Sequence, residues 1–243
     1  MADIWFARNI IIFQVEIMHR SDNEIHAKEM YLREGKVPLG YAISKGLMSL
    51  VRDPFLLFVT HLPGPLGLKL RQLWYKRKVA FMGKGVVIEQ NVHIPILDNL
   101  YLSDFSYLGW GLQIYAPEGF VKIGKRSHIT GRILGHGGVE IGDYVGCGGT
   151  LLSITDSHQG GSRMCGPMVP NEQRNLKQGK ITIQKDAFIG QHSIVMPGVT
   201  VGEGAVVAPF SLVVRNVRPW TVVSGVPAVK ISDREVVRYS DPD

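Results

Sequence analysis

Cysteine is scarce in this chain: two residues, Cys147 and Cys165, in 243. They show neither a pairing pattern nor metal-ligand spacing, which excludes a disulfide-stapled scaffold and fits a reducing cytoplasm. Long apolar runs are missing as well. A membrane-spanning helix requires roughly 18 apolar residues, and the longest candidates, residues 9–13 and 55–60, fall far short. The N-terminus, with Asp3 ahead of Arg8 and no small-residue cleavage site, does not read as a secretory signal. Residues 1–82 lack both a strand pattern and the glycine-rich turn of a dinucleotide-binding unit.

Acidic residues are outnumbered, 21 against 27 Lys and Arg, for a net charge of +6. The cations cluster. Lys69, Arg71, Lys76, Arg77 and Lys78 form one group; Arg215, Arg218, Lys230, Arg234 and Arg238 form another. No nucleic-acid recognition motif accompanies them, which argues against a nucleic-acid partner. Anionic lipid headgroups and phosphorylated small ligands suit these clusters better.

What is present is two regions of different period. Up to about residue 82 the apolar spacing is helical, as in Leu47, Leu50 and Val51, and is interrupted by Pro54, Pro63, Gly64, Pro65 and Gly67. After that interruption Leu66, Leu70, Leu73 and Trp74 line one face of a basic amphipathic helix. Such a helix can lie on a membrane surface, pack that face on the main domain, or do each over part of its length.

From residue 83 a six-residue period takes over. Residues 183–212 read IQKDAF, IGQHSI, VMPGVT, VGEGAV, VAPFSL, five unbroken hexads opening on Ile183, Ile189, Val195, Val201 and Val207, with Val213 starting another. Earlier hexads open at Ile88, Ile94, Leu102, Leu108, Ile123, Ile129, Ile141 and Cys147, and a small residue often holds the fifth place. Three hexads make one coil of three short strands, with an aliphatic side chain turned inward at each strand. Stacked coils bury a continuous column of Ile, Val and Leu. Cys147 occupies an opening position and reads as a small core residue, and the glycine that often follows the aliphatic suits a tight corner.

The segment from about Gly83 to Ile231 resembles the hexapeptide-repeat acyltransferases. The resemblance implies a mainly β fold, a left-handed parallel β-helix, with the handedness coming from the resemblance alone. IGQHSIVMPGVTVGEGAVVAPFSLVVRNVRPWTVVSGVPAVKI, residues 189–231, is similar to the sugar O-acetyltransferase branch, and LPGPLGLKLRQLWYKRK, residues 62–78, to lead-ins of acetyltransferases of polysaccharide biosynthesis. The expected organisation is an N-terminal helical region over 1–82, membrane- or interface-associating, a β-helix over 83–231, and a tail over 232–243.

The hexads break once. Ile141 and Ile183 are 42 residues apart, one 18-residue coil plus 24 more, so the chain leaves the solenoid over about 155–180. An excursion this long needs a reason. It carries one histidine, His158. A hydroxyl is a poor nucleophile at neutral pH, and imidazole is suited to removing its proton as it attacks a thioester. The resemblance implies that role for His158, on a loop reaching over a cleft shared with the next subunit of a homotrimer. Asp156 is a candidate to orient it, or a local turn-former, and Glu172 is a weaker candidate.

The resemblance also implies acetyl-coenzyme A as donor, with no metal required. The Gln191 N–H would stabilise the oxyanion, Ala208, Ser224 and Gly225 would line the pantetheine groove, and Arg215, Arg218 and Lys230 would meet the phosphates. Relatives carry an asparagine near the acceptor hydroxyl; the corresponding positions here are Thr130, Gly131 and Arg132, with His128 and His136 nearby. Arg132 and His136 are therefore the acceptor-side candidates. Phe188 is expected to pack beside the cleft, and Trp220 to cover the groove or close the solenoid end.

The expected function is O-acetylation of a saccharide acceptor for a cell-surface or exported glycan, in the cytoplasm or peripherally on the inner face of the membrane. Three rival readings fit the sequence less well. A nucleotide-sugar N-acetyltransferase with an N-terminal dinucleotide-like domain finds no such domain here. A zinc enzyme on the same solenoid needs two histidines five positions apart, and no pair has that spacing. A non-catalytic scaffold leaves His158 in a long excursion without a purpose.

Overall fold

The computed structural model describes residues 57–156 and 176–236 together with the single positions Leu39 and Ile43. All but those two positions belong to one compact unit. The expected helix around Leu47–Val51, the middle of the excursion and residues 237–243 lie outside the described residues.

The unit is a parallel β-solenoid with three faces. Face 1 stacks six strands: β1 (Phe81–Met82), β3 (Leu100–Leu102), β6 (Val121–Ile123), β9 (Val139–Ile141), β14 (Ile181–Ile183) and β17 (Thr200–Val201). Face 2 stacks β2 (Val87–Ile88), β4 (Tyr107–Leu108), β7 (His128–Ile129), β10 (Gly146–Cys147), β15 (Phe188–Ile189), β18 (Val206–Val207) and β20 (Thr221–Gly225), and ends on an antiparallel strand, β21 (Ala228–Asp233). Face 3 runs β5 (Gln113–Tyr115), β8 (Arg132–Leu134), β11 (Thr150–Leu152), β16 (Ile194–Val195) and β19 (Leu212–Val213).

Register follows the hexads. Ile123, Ile141, Ile183 and Val201 are lateral neighbours on face 1, as are Ile129, Cys147, Ile189 and Val207 on face 2. Every hexad-opening residue from Ile88 to Val213 is buried. Burying an aliphatic side chain of this size contributes about 1.5–3 kcal/mol, so the column is the main source of stability. The fifth place is buried too: Ser127, Val145, Ala187, Ser193, Val199, Ala205 and Ser211 fill the inside of the corners. Ser127 illustrates why a hydroxyl fits there. Its Oγ donates to the Gly142 carbonyl (2.7 Å) and accepts from the Val145 N–H (3.0 Å). Burial pushes the Cys147 thiol up to about 11, which leaves it an inert core group.

The corner glycines serve a purpose other than the expected one. The left-handed position at the face 1 to face 2 corners is held by Phe105, Arg126, Tyr144 and Asp186 as well as by Gly85 and Gly204, so it does not require glycine. Gly124, directly after Ile123, has no positive φ; it is excluded from growing by the next coil. A Cβ there would lie 2.3 Å from both the carbonyl carbon and oxygen of Gly142. Gly124→Ala is expected to lower stability by about 3 kcal/mol through this overpacking, read as a lower urea midpoint. An unchanged midpoint would show that the corner yields.

The helix α1 (Gly64–Lys76) caps the first coil, and does so with the face opposite to the apolar one. Gly67, Arg71 and Tyr75 are buried, whereas Leu66 and Leu73 are exposed and Leu70 and Trp74 half-buried. The cause is the open end of a parallel sheet. N–H groups of β2 donate forward into the next coil, so carbonyls of the first coil are left without partners. Side chains of α1 take them: Arg71 Nε donates to Ile88 O (2.8 Å), Gln72 Nε2 to Val86 O (3.2 Å) and Tyr75 OH to Val92 O (3.4 Å). Arg71 Nη1 also donates to Leu62 O (2.8 Å) and Val59 O (3.2 Å). The apolar face packs on the coils over part of its length, through Trp74, while Leu66 and Leu73 stay exposed. Residues 57–82 belong to the same compact unit as the coils.

Candidate active site

Two groups of expected site residues stand on opposite sides of face 3. The first lies where the chain leaves the solenoid. Beyond β11, β12 (Ile154–Asp156) pairs antiparallel with β13 (Leu176–Gln178), in the register Ile154↔Gln178, Thr155↔Lys177, Asp156↔Leu176. This stem returns the chain to face 1. Asp156 closes it, two residues before His158. His158 and Glu172 lie outside the described residues.

The root of the stem is bonded to the coil beneath. Ser153 Oγ donates to Leu134 O (2.6 Å) and accepts from the Gly137 N–H (2.8 Å), while Gln178 Nε2 donates to the His136 carbonyl (2.9 Å). His136 therefore sits under the excursion, half-buried, with Tyr115 edge-on at 5.4 Å. Its Nδ1 is buried and has no partner among the described residues. Burial lowers its pKa and Glu118 pulls the other way, so at neutral pH it is an uncharged donor–acceptor rather than an anion clamp. Arg132 is exposed on the outer surface of β8, level with Gln113 and Thr150. The two acceptor-side candidates thus stand at opposite ends of β8, Arg132 at its start and His136 beyond its end beside Tyr115.

The second group follows the edge between faces 2 and 3. Gln191, Ala208 and the pair Ser224–Gly225 each come directly after, or at the end of, a face 2 strand in successive coils. Below them the edge is cut back. Six residues separate the inward side chains around this corner in most coils, as in Leu108 to Ile114 and Ile189 to Val195. In two adjacent coils only four do, Ile129 to Ile133 and Cys147 to Leu151. Gly131 makes its turn at φ +89°, and a Cβ on it would come 2.3 Å from the Gly149 carbonyl oxygen. The result is a glycine-floored notch, with Trp110, 67% exposed, on the coil below and Gln191 on the coil above.

Gln191 closes the notch. A Cβ on Gly148 would lie 2.7 Å from its Cγ, so the side chain covers that glycine. At the face 1 to face 2 corners, the N–H two places after the aliphatic is taken by a side chain of the neighbouring coil: Lys84 by Asp104, Lys125 by Asp143, Glu203 by Gln184. The Gln191 N–H has no acceptor among the described residues, nor do those of Gln90 and Trp110. Unused donors are a property of this edge, and Gln191 is the one standing over the notch. Phe188 is 47% exposed on face 2 and covers Gly146.

The donor-side candidates are not equally available. The Ala208 N–H donates to Val223 O (2.9 Å) and its carbonyl accepts from Ser193 Oγ (3.2 Å), which leaves the methyl and one carbonyl lone pair for a ligand. The Gly225 N–H donates to Ser211 Oγ at 3.2 Å. Lys230 pairs with Asp233 (2.6 Å) instead of standing free. Arg215 and Arg218 are exposed and carry no ion pair among the described residues. Trp220 closes a corner of the solenoid: its ring covers Gly204, and Arg234 lies over it at 5.5 Å while donating to Gly204 O (2.9 Å). Trp110, Tyr115 and the shortened corners went unnoticed in the sequence; the spacings Ile-Thr-Gly-Arg-Ile and Cys-Gly-Gly-Thr-Leu were the available signal.

Comparison with known proteins adds chemistry to this geometry. The family model described as bacterial transferase hexapeptide (six repeats) matches residues 180–215. The chain is 35% identical over 146 residues to a dTDP-4-amino-4,6-dideoxy-D-glucose acyltransferase from Escherichia coli, covering 58% of this chain and 72% of that one. It is 30% identical over 125 residues to the putative lipopolysaccharide biosynthesis O-acetyl transferase WbbJ of Escherichia coli K12, covering 44% and 64%. Among solved structures it is similar to AntD, an N-acyltransferase from Bacillus cereus in complex with dTDP-4-amino-4,6-dideoxyglucose and coenzyme A. There the TM-score is 0.63 and the identity 29%, over 68% of this chain and 89% of that one.

Proposed function

Because the chain belongs to the bacterial hexapeptide-repeat transferases, and is an acyltransferase with coenzyme A as acyl carrier, we propose that it transfers acetyl from acetyl-coenzyme A to a saccharide hydroxyl destined for a cell-surface or exported glycan. The observation that carries this reading is the free Gln191 N–H above the glycine-floored notch, on the same edge as Ala208 and Ser224–Gly225. A thioester laid along that edge brings its carbonyl oxygen to a fixed donor, which gains strength as the tetrahedral oxyanion forms. Arg215 and Arg218 meet the phosphates of the donor. Arg132 and His136 hold the acceptor, and His158 removes the hydroxyl proton as the oxygen attacks. Asp156 holds the tautomer of His158. In a homotrimer, the excursion of one protomer reaches the edge of the next, so each site is shared.

A second reading is N-acylation of an amino sugar carried on a nucleotide. The relatives that act on dTDP-4-amino-4,6-dideoxyglucose favour it. The objection that residues 1–82 lack a dinucleotide-like domain weakens, because such a relative is similar to this chain over 58% of its length. The two readings differ in their need for a base: a neutral amine attacks a thioester unaided far better than a hydroxyl does. Purified protein is to be given acetyl-coenzyme A with either a hydroxyl-bearing glycan fragment or a dTDP-amino sugar, and thiol release followed. Turnover with the hydroxyl acceptor alone supports O-acetylation; turnover with the amine alone replaces it with the second reading.

A further inference from the structure

From the orientation of α1, we infer that its outward face docks on an anionic lipid surface. The capping contacts commit one side of the helix to the first coil, through Gly67, Arg71 and Tyr75. That leaves Leu66 and Leu73 pointing away, 65% and 58% exposed, with the half-buried Leu70 between them. Lys69 and Lys76 flank these leucines, and Arg77 and Lys78 extend the cationic rim past the helix end; all four are exposed. Residues 57–78 contain no Asp or Glu. No described helix is long and apolar enough to cross a membrane, and a thirteen-residue helix of this composition suits the interface plane, with leucines among the acyl chains and cations at the phosphates.

Charge complementarity selects the occupant. A second copy of the chain on this face would set Lys69, Lys76, Arg77 and Lys78 near their own counterparts, and like charges facing each other oppose association. An anionic bilayer satisfies the leucines and the cations together. The buried Arg71 gives the helix its rotation: since it serves the coil's carbonyls, the apolar stripe is held outward. Docking would bring a lipid-linked acceptor to the molecule, although the docking itself does not depend on the acyl-transfer reading.

The test is co-sedimentation of the full chain with vesicles of phosphatidylcholine alone, and of phosphatidylcholine mixed with an equal part of phosphatidylglycerol. The expected result is binding to the mixed vesicles, little to the neutral ones, and release in high salt. Leu66→Asp with Leu73→Asp should abolish binding. Lys69→Gln with Lys76→Gln, which leaves the apolar stripe intact and so guards against misfolding in the first variant, should weaken partitioning about fivefold per charge removed. Thiol release with a water-soluble acceptor should be unchanged in both, which separates a failure of docking from a failure of the catalytic reading. Equal binding to both vesicle types, no binding to either, or a Leu66/Leu73 variant that falls to a smaller assembly without lipid would each overturn the proposal, the last by assigning the face to a second copy.

Discussion

Replacing His158 with alanine is expected to lower kcat for acetyl transfer to a hydroxyl by roughly 10²–10⁴-fold, with the unfolding midpoint unmoved. The midpoint should hold because the core is the inward column of Ile, Val and Leu, and among the described residues the excursion joins it through the stem of residues 154–156 and 176–178 and its root at Ser153 and Gln178. The rate should fall because imidazole takes the hydroxyl proton and alanine cannot, and activity that survives the change would point to the exposed His128 or His192 at the same edge. His136 is held neutral by burial, but it sits at the far end of face 3 from Gln191, and the Cys147 thiol is in the core. His158→Gln should be as defective as alanine, since an amide keeps hydrogen bonding and cannot accept the proton; a variant that retains activity would remove the general-base role. If each site is shared between protomers, co-assembly of the His158→Ala chain with a Gln191→Pro chain, which lacks the N–H, should restore part of the activity that each lacks alone. Failure to restore any would place the base and the oxyanion donor in one protomer.

The second large effect concerns stability. Arg71→Met is expected to lower it by about 3–5 kcal/mol, since Ile88 O, Leu62 O and Val59 O lose their donor and an orphaned buried carbonyl costs about 1–3 kcal/mol. Replacement by methionine keeps the aliphatic packing, so the loss reads the hydrogen bonds rather than a cavity. In a unit of this size such a loss moves Tm down by about 10 °C. Because a solenoid can unzip from one end, the change should appear first as faster amide exchange at Val86–Ile94 and only later at β14–β19. Arg71→Lys should rescue little, as one ammonium cannot span the carbonyls that a guanidinium fork reaches. Uniform exchange rates along the coils, or an unchanged midpoint, would show that α1 is an accessory rather than the cap.

Both effects trace to features of different legibility. The hexads name the inward residues because a coil repeats its environment every six positions, and a wrong register would turn every Ile and Val to water. The two shortened corners escape that logic. A face 3 strand that begins two residues early keeps its own alternation, and only Gly131, Gly148 and Gly149 mark the shift. Lys230 looked like a phosphate ligand from its position, yet Asp233, three residues on in β21, pairs with it. Ala208 seemed to offer an amide that the next coil already uses.

By itself, the sequence determined the solenoid, its inward column, the place where the chain leaves it and the family to which it belongs, because all of these depend on local repetition and on spacing along the chain. Tertiary structure decided which face of α1 is covered, where the edge is notched, and which of the expected groups remain free to meet a ligand. The physical reason is that these depend on partners distant in sequence. A buried arginine at position 71 contradicts the rule that charge faces water until the unpaired carbonyls of the first coil come into view.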